Sequence, residues 1–109
     1  MNKIKIVGVM ECVLRFSDGS SIISHHEQDC CEYNWADFEA IDDLAKEWEF
    51  TLPLTFKKAS GYGFRFGNPP DKMVFVPCYS HQNGYYSSDV DIYYQGKRVL
   101  KNVEGAVDE

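Results

Sequence analysis

The residues with the greatest potential for chemistry are clustered in one short stretch. It combines two histidines, two adjacent cysteines, an amide and acidic groups, and it includes His25, His26, Gln28, Asp29, Cys30, Cys31 and Glu32. A thiolate and an imidazole can act as nucleophile and general base, and both are also metal ligands. The stretch matches no established catalytic or metal-binding motif, so the spacing of its residues has to decide between these roles.

The spacing argues against a metal site. Neighbouring residues point to opposite faces of a strand and diverge by about 100° on a helix, so Cys30 and Cys31 do not readily bind one tetrahedral ion. Structural zinc sites usually separate their cysteines by about two to four residues. We therefore predict no metal and no cofactor. The zinc alternative would use His26, His81 and one of the two cysteines.

Cysteine catalysis is the second alternative. His26 or His81 would activate Cys30 or Cys31, and a carboxylate of the same stretch would orient the imidazole. No glycine-rich oxyanion loop accompanies these residues. A cysteine that fills the core as a small apolar residue is the commoner outcome, with the polar neighbours bonding backbone groups or lining a binding pocket.

A second stretch, residues 83–87, reads Asn-Gly-Tyr-Tyr-Ser. Asn-Gly between two strand-like runs predicts a tight hairpin turn. A tyrosine at the mouth of a hairpin can stack on a ligand or anchor a protein interface. The two stretches together provide the predicted ligand-binding residues: His26, Gln28, Asp29, Cys30, Cys31, Glu32, Asn83, Tyr85 and Tyr86.

The two stretches resemble a family of small domains of unknown function found in phage and bacterial genomes. Members of that family pair an H-x-Q-D-C-C-E stretch after a hairpin with a late N-G-Y-Y-S strand, as residues 26–32 and 83–87 do here. This chain differs in carrying His25 before the first motif and in continuing beyond residue 94. The resemblance implies a phage or prophage accessory protein.

Strands and one helix are expected to position these residues. Residues 11–16 and 21–26 alternate apolar and polar side chains around Ser-Asp-Gly-Ser, which predicts a hairpin, and a short strand precedes it. Apolar residues recur at spacings of three and four over residues 35–48, which predicts an amphipathic helix with Asn34 as its N-cap. Alternating runs after Pro53 indicate further strands, with a turn at Gln95 and Gly96. The predicted fold is α+β: an antiparallel sheet of about five to seven strands with one helix packed on one face.

Length and charge bound the organisation of the chain. Its 109 residues predict one domain over residues 1–103, followed by a frayed acidic tail over 104–109. The net charge of −6 argues against direct nucleic-acid binding, and no apolar run is long enough for a membrane span. No secretory signal is apparent, so we expect a cytoplasmic protein, in the host cytoplasm if phage-encoded, with reduced cysteines.

These observations favour a non-enzymatic phage or prophage binding protein. It would sequester a small molecule or block a host protein, most concretely as a host-defence antagonist, and an exposed sheet edge would allow a homodimer. The first alternative is a small cysteine-dependent enzyme that uses Cys30 or Cys31 with His26. The second is an acidic-face inhibitor that mimics nucleic acid, with Asp42, Asp43 and Glu47 on the exposed side of the predicted helix.

Overall fold

The computed structural model describes residues 3–10, 12–25, 33–41, 48–81 and 89–108. Within these ranges the chain forms eleven β-strands and one short 3₁₀ turn, Phe38–Ile41. The strands are β1 (Lys3–Met10), β2 (Val13–Phe16), β3 (Ser21–His25), β4 (Tyr33–Ala36), β5 (Glu49–Thr51), β6 (Thr55–Ala59), β7 (Gly63–Asn68), β8 (Lys72–His81), β9 (Asp89–Tyr94), β10 (Lys97–Glu104) and β11 (Ala106–Asp108).

The strands form two sheets. The first has six strands in the order β10-β9-β3-β2-β1-β5. The second has the order β11-β8-β7-β6, and β4 also pairs with β8. All of these pairings are antiparallel except that of β11 with β8, which is parallel.

The core lies between the two sheets because each contributes one apolar face to it. Strand β1 shows the underlying alternation, with Ile4 and Ile6 buried and the lysines beside them exposed. The ring of Phe66 from β7 lies 6.1 Å from that of Phe16 on β2 and 5.6 Å from that of Phe50 on β5. Each fully buried ring contributes roughly 1.5–3 kcal/mol of transfer free energy. This aromatic cluster therefore joins the two sheets into one core.

The two hairpins with clear turn residues are confirmed. Strands β2 and β3 pair around the Ser-Asp-Gly-Ser turn, and β9 pairs with β10 across Gln95 and Gly96. Those two turn residues have φ angles of 53° and 76°, as a two-residue turn of type I′ requires. The short strand expected before the first hairpin is β1, and its register with β2 shifts between Ile6 and Gly8.

The predicted α+β class is wrong, because the described residues form an all-β structure. Tyr33–Ala36 is a strand, and so is Glu49–Thr51, where the predicted helix should begin and end. Between them the described backbone contains only the single 3₁₀ turn, in which Phe38 and Ile41 are buried three residues apart. Of the described residues that share the apolar spacing, Phe38 and Ile41 are buried in the core, whereas Trp35 is only half-buried on β4, so they do not form one helical stripe. Residues 42–47 lie outside the description.

Within the described residues, the strands on either side of the hairpin predicted around Asn83 and Gly84 do not pair with each other. Strand β8 before these residues belongs to the second sheet, whereas β9 after them pairs with β3 and β10 in the first. The connection between β8 and β9 therefore passes from one sheet to the other. The turn dipeptide itself lies outside the described residues.

The end of the chain adds a strand to the second sheet. Residues 106–108 lie within the stretch that the sequence predicts to be a frayed tail, and their backbone pairs in parallel with residues 79–81 of β8. In the part of the chain that the structure describes, no helix has the length and apolar character needed to span a membrane.

Candidate functional site

The two motifs occupy two of the connections that run from one sheet to the other. The first, residues 26–32, runs from β3 to β4, and the second lies within residues 82–88, between β8 and β9. All nine predicted ligand-binding residues lie outside the described residues: His26, Gln28, Asp29, Cys30, Cys31, Glu32, Asn83, Tyr85 and Tyr86. The structure does describe the strands on both sides of each connection, and their pairing defines the candidate site.

The strand register brings the two connections together at both ends. In the first sheet, His25, the last residue before the first motif, pairs with Asp91, two residues into β9. In the second sheet, Tyr33, which follows the first motif, pairs with His81, which precedes the second. Paired Cα atoms in antiparallel strands are about 4.5–5.5 Å apart. The ends of β3, β4, β8 and β9 therefore form one site, which we term the four-strand junction.

A buried polar network fixes this junction. The Oγ atom of Ser80 on β8 donates a hydrogen bond of 2.5 Å to Oδ1 of Asn34 on β4, and both residues are almost fully buried. The Nδ2 atom of Asn34 donates to the carbonyl oxygen of Asp89, at the start of β9, over 3.1 Å. One asparagine thus connects three of the four strands, because its amide both donates and accepts.

The fourth strand is attached by a serine. The backbone N–H of Ala36 on β4 donates a hydrogen bond of 3.2 Å to the Oγ atom of Ser24 on β3. Ser24 is buried and lies next to His25, where the first connection begins. Buried polar groups that are fully hydrogen-bonded hold their neighbours in one arrangement, because breaking the bonds exposes each group to an apolar interior. The junction is therefore a rigid base for both connections.

The outward side of the first sheet adds an aromatic and ionic surface beside the junction. The ring of Tyr93 contacts His25 edge-on, with ring centroids 6.2 Å apart. These two residues, together with Ile23 and Gly96, line a shallow cavity of about 350 Å³. The carboxylate of Asp91 accepts hydrogen bonds from Arg98, over 3.5 Å, and from the backbone N–H of Asn102, over 2.9 Å. Asp91 is thus held by β10.

Of the described cysteines, Cys78 offers no nucleophile at the junction. Cys78 is fully buried on the core face of β8, and desolvation raises the pKa of its thiol to about 12. Cys12 is half-buried at the turn between β1 and β2. Among the described residues, no group of three or more His, Cys, Asp or Glu side chains is arranged to hold a metal ion. Cys30, Cys31 and the side chain of His81 lie outside this description.

Sequence analysis missed the residues that build the junction. Asn34 was interpreted as a helix N-cap, yet it occupies a core position of β4, and Ser24 and Ser80 were given no role. The sequence offers one signal for these positions, the alternation of inward and outward residues along a strand. Asn34 and Ser24 are each followed by a residue that is less buried. A polar residue at a core position of a strand is interpretable only once its partner is known.

No protein-family model matches this chain, and the searches of curated proteins and of solved structures gave no match either. The function therefore has to be argued from the geometry of the junction and from the resemblance of its two motifs.

Proposed function

We propose that this protein is a non-enzymatic binding protein of phage or prophage type that uses the four-strand junction to hold a small molecule or a host protein. A host-defence antagonist is the most concrete form of this proposal. The phage setting rests on the resemblance of the two motifs. The binding role rests on the pairing of the strands that flank both motifs.

The observation that carries the proposal is the paired boundary of the two motifs. His25 pairs with Asp91 at one end, and Tyr33 pairs with His81 at the other. Two stretches that are unusual in sequence, and about fifty residues apart, thus begin and end on neighbouring strands. Binding residues are disproportionately found on loops that a rigid scaffold positions. This juxtaposition supports one shared site formed by both motifs.

The surroundings favour binding over catalysis. The described polar groups of the junction, Asn34 and Ser80, are hydrogen-bonded to each other and to the backbone of Asp89, as structural groups are. The carboxylate of Asp91 bonds to β10 and does not orient His25 as the third member of a catalytic triad would. The residues named for cysteine catalysis, Cys30, Cys31 and His26 together with the side chain of His81, lie outside the described part of the chain.

Native mass spectrometry of the freshly purified protein, compared with the same sample denatured, tests the small-molecule form of the proposal. A pull-down from host lysate tests the protein form. Asp29→Asn and Tyr85→Ala should abolish the added mass or the captured partner. Asp71→Asn is the matched control for Asp29→Asn, because Asp71 is exposed on the turn between β7 and β8, at the opposite end of β8 from the junction, and this variant should retain binding.

Two outcomes would contradict the proposal. Binding that survives both motif variants would place the site elsewhere on the molecule. Rapid iodoacetamide labelling of Cys30 or Cys31 at about pH 7 would favour the cysteine-dependent enzyme instead, because only a thiolate with a depressed pKa reacts quickly there. Slow labelling of both cysteines in the folded protein is the result that we expect.

A further inference from the structure

A second pocket lies on the outward side of β4. It has a volume of about 280 Å³ and is lined by Trp35, Ala36, Asp37 and Glu39. Ligand pockets usually measure about 300–1,000 Å³, so this one suits a single head group better than a complete cofactor. The four residues that the structure describes at this pocket belong to neither motif.

One wall of the pocket is a supported aromatic ring. Trp35 pairs with Tyr79 across β4 and β8, and their ring centroids are 5.6 Å apart with an angle of 38° between the ring planes. Side chains of paired residues project from the same face of a sheet, here the face turned away from the core. Both rings are half-buried. The contact with Tyr79 restricts the indole, so its face is a fixed surface.

The other wall carries two negative charges. Asp37 is half-buried and Glu39 is exposed, and neither carboxylate has a hydrogen bond or an ion pair within the part of the chain that the structure describes. The backbone around them is nevertheless fixed. The N–H of Asp37 donates to the carbonyl of Pro77 over 2.8 Å, and the carbonyl of Asp37 accepts from the N–H of Ala40 over 3.3 Å.

We infer that this pocket binds an organic cation, such as a guanidinium or an alkylammonium group. The face of an indole attracts a cation through its quadrupole, and a nearby carboxylate adds a charge-assisted hydrogen bond. A phosphate-bearing ligand would instead be repelled by Asp37 and Glu39. The inference goes beyond the proposed function, because it names an organic cation as the ligand and is argued from Trp35, Asp37 and Glu39, which belong to neither motif.

The cation has two possible sources, a free small molecule or a basic side chain of a protein partner. N-acetyl-arginine methylamide presents the chemistry that both share. A short peptide with one arginine flanked by neutral residues distinguishes them. Binding of the peptide at least about tenfold tighter than that of the single-residue derivative would indicate a protein source, because flanking residues would then add contacts. Equal binding would indicate a small cation.

Intrinsic fluorescence gives a direct measurement. The chain has two tryptophans, so Trp48→Phe leaves Trp35 as the single indole. Titration with N-acetyl-arginine methylamide should change the emission of Trp35 saturably, whereas the neutral citrulline analogue should not. Asp37→Asn and Glu39→Gln should each weaken binding by about three- to tenfold. Glu49→Gln, an exposed position on β5, is the matched control and should leave the affinity unchanged.

The inference is overturned if the citrulline analogue binds equally well, or if Asp37→Asn and Glu39→Gln leave the titration unchanged. The absence of any response to the arginine derivative in the folded protein would overturn it as well. Each variant is first shown to unfold at the same urea concentration as its parent. Asp29→Asn and Tyr85→Ala should not alter this titration, so the outcome is independent of the proposed function.

Discussion

Asn34 and Ser80 form a buried hydrogen bond of 2.5 Å between β4 and β8, directly beneath the two connections that carry the motifs. The serine hydroxyl donates and the asparagine Oδ1 accepts, while Nδ2 of the asparagine donates to Asp89. The amide of Asn34 therefore links the second sheet to β9, the strand that follows the second motif. Any ligand bound by both motifs would depend on this link for its geometry.

We expect Ser80→Ala and Asn34→Leu each to lower the free energy of unfolding by about 1–3 kcal/mol, because each change leaves buried polar groups without one of their partners. Urea denaturation measures the loss. The double variant should lose less than the sum of the two single losses, since the bond between the two residues can be removed only once.

Ser60→Ala is the control for this prediction. Ser60 is exposed in the turn between β6 and β7, and its substitution should change stability by less than about 0.5 kcal/mol. Strictly additive losses for Asn34→Leu and Ser80→Ala would show that the two side chains are not energetically coupled, and the buried network would then not fix the junction.

Local turn chemistry was the most predictable part of the fold. The hairpins at Ser17–Ser20 and at Gln95–Gly96 follow from a few adjacent residues, because positive φ and side-chain bonding act within the turn itself. The pairing of β9 with β3 is different in kind. It joins Ile22 to Tyr94, which are far apart in the chain, and no local pattern specifies it.

The helix prediction failed because two core positions of β4 carry unusual residues. Asn34 and Ala36 are buried, whereas Trp35 between them faces outward. Hydropathy alone assigns the tryptophan to the core and the asparagine to solvent, which reverses the true pattern. The polar residues that build the junction were missed for the same reason. Asn34 can be buried only because Ser80 and Asp89, from distant parts of the chain, satisfy its amide.

The thiol of Cys78 should be unreactive in the folded protein. Burial raises its pKa to about 12, so almost none of it is thiolate at neutral pH. Iodoacetamide at about pH 7, followed by peptide mapping, should leave Cys78 unmodified until denaturant is added. Its rapid modification in the native state would mean that β8 opens readily, which is incompatible with a rigid junction.

The raised pKa also has a consequence at alkaline pH. The folded state disfavours the thiolate. The contribution of Cys78 to the free energy of unfolding is therefore fully present below the ordinary thiol pKa of 9.0, and it is lost as the pH rises above that value towards about 12. Cys78→Ala should therefore show a flatter decline of stability with alkaline pH than the parent protein. Parallel declines would indicate that other groups determine the alkaline limit.

Asp18 should contribute to the acid sensitivity of the first hairpin. Its carboxylate accepts hydrogen bonds from the hydroxyl and the backbone N–H of Ser20, over 2.5 and 2.9 Å, and these bonds lower its pKa below 3.8. The folded state binds this proton less tightly than the unfolded state. The stabilisation is therefore complete above pH 3.8 and is lost as the pH falls through the lower, folded-state pKa.

Asp18→Asn tests this relationship, because an amide oxygen still accepts a hydrogen bond but does not titrate. We expect the variant to be less stable than the parent at neutral pH and to lose less stability between about pH 5 and pH 2. Asp71→Asn, an exposed turn position in the second sheet, should follow the acid profile of the parent. An unchanged profile for Asp18→Asn would assign the acid sensitivity to other carboxylates.

Asn68 should hold the edge of the first sheet to the second. Its side-chain amide makes two hydrogen bonds of 2.7 Å with the backbone of Thr51: Oδ1 accepts from the N–H, and Nδ2 donates to the carbonyl. Thr51 ends β5, the edge strand of the six-stranded sheet, whereas Asn68 ends β7 in the other sheet. The amide thus occupies the place of a neighbouring strand and covers an otherwise open edge.

Asn68→Ala should lower the free energy of unfolding by about 1–3 kcal/mol, because both backbone groups of Thr51 lose a partner. Hydrogen exchange of the Thr51 amide should accelerate by more than global destabilisation explains, since that proton is held by the side chain. Asn68→Asp separates the two bonds: its carboxylate still accepts from the N–H but cannot donate to the carbonyl. It should therefore protect the Thr51 amide better than Asn68→Ala does. Equal exchange rates in all three proteins would mean that β1 alone retains β5, and that Asn68 does not hold this edge to the second sheet.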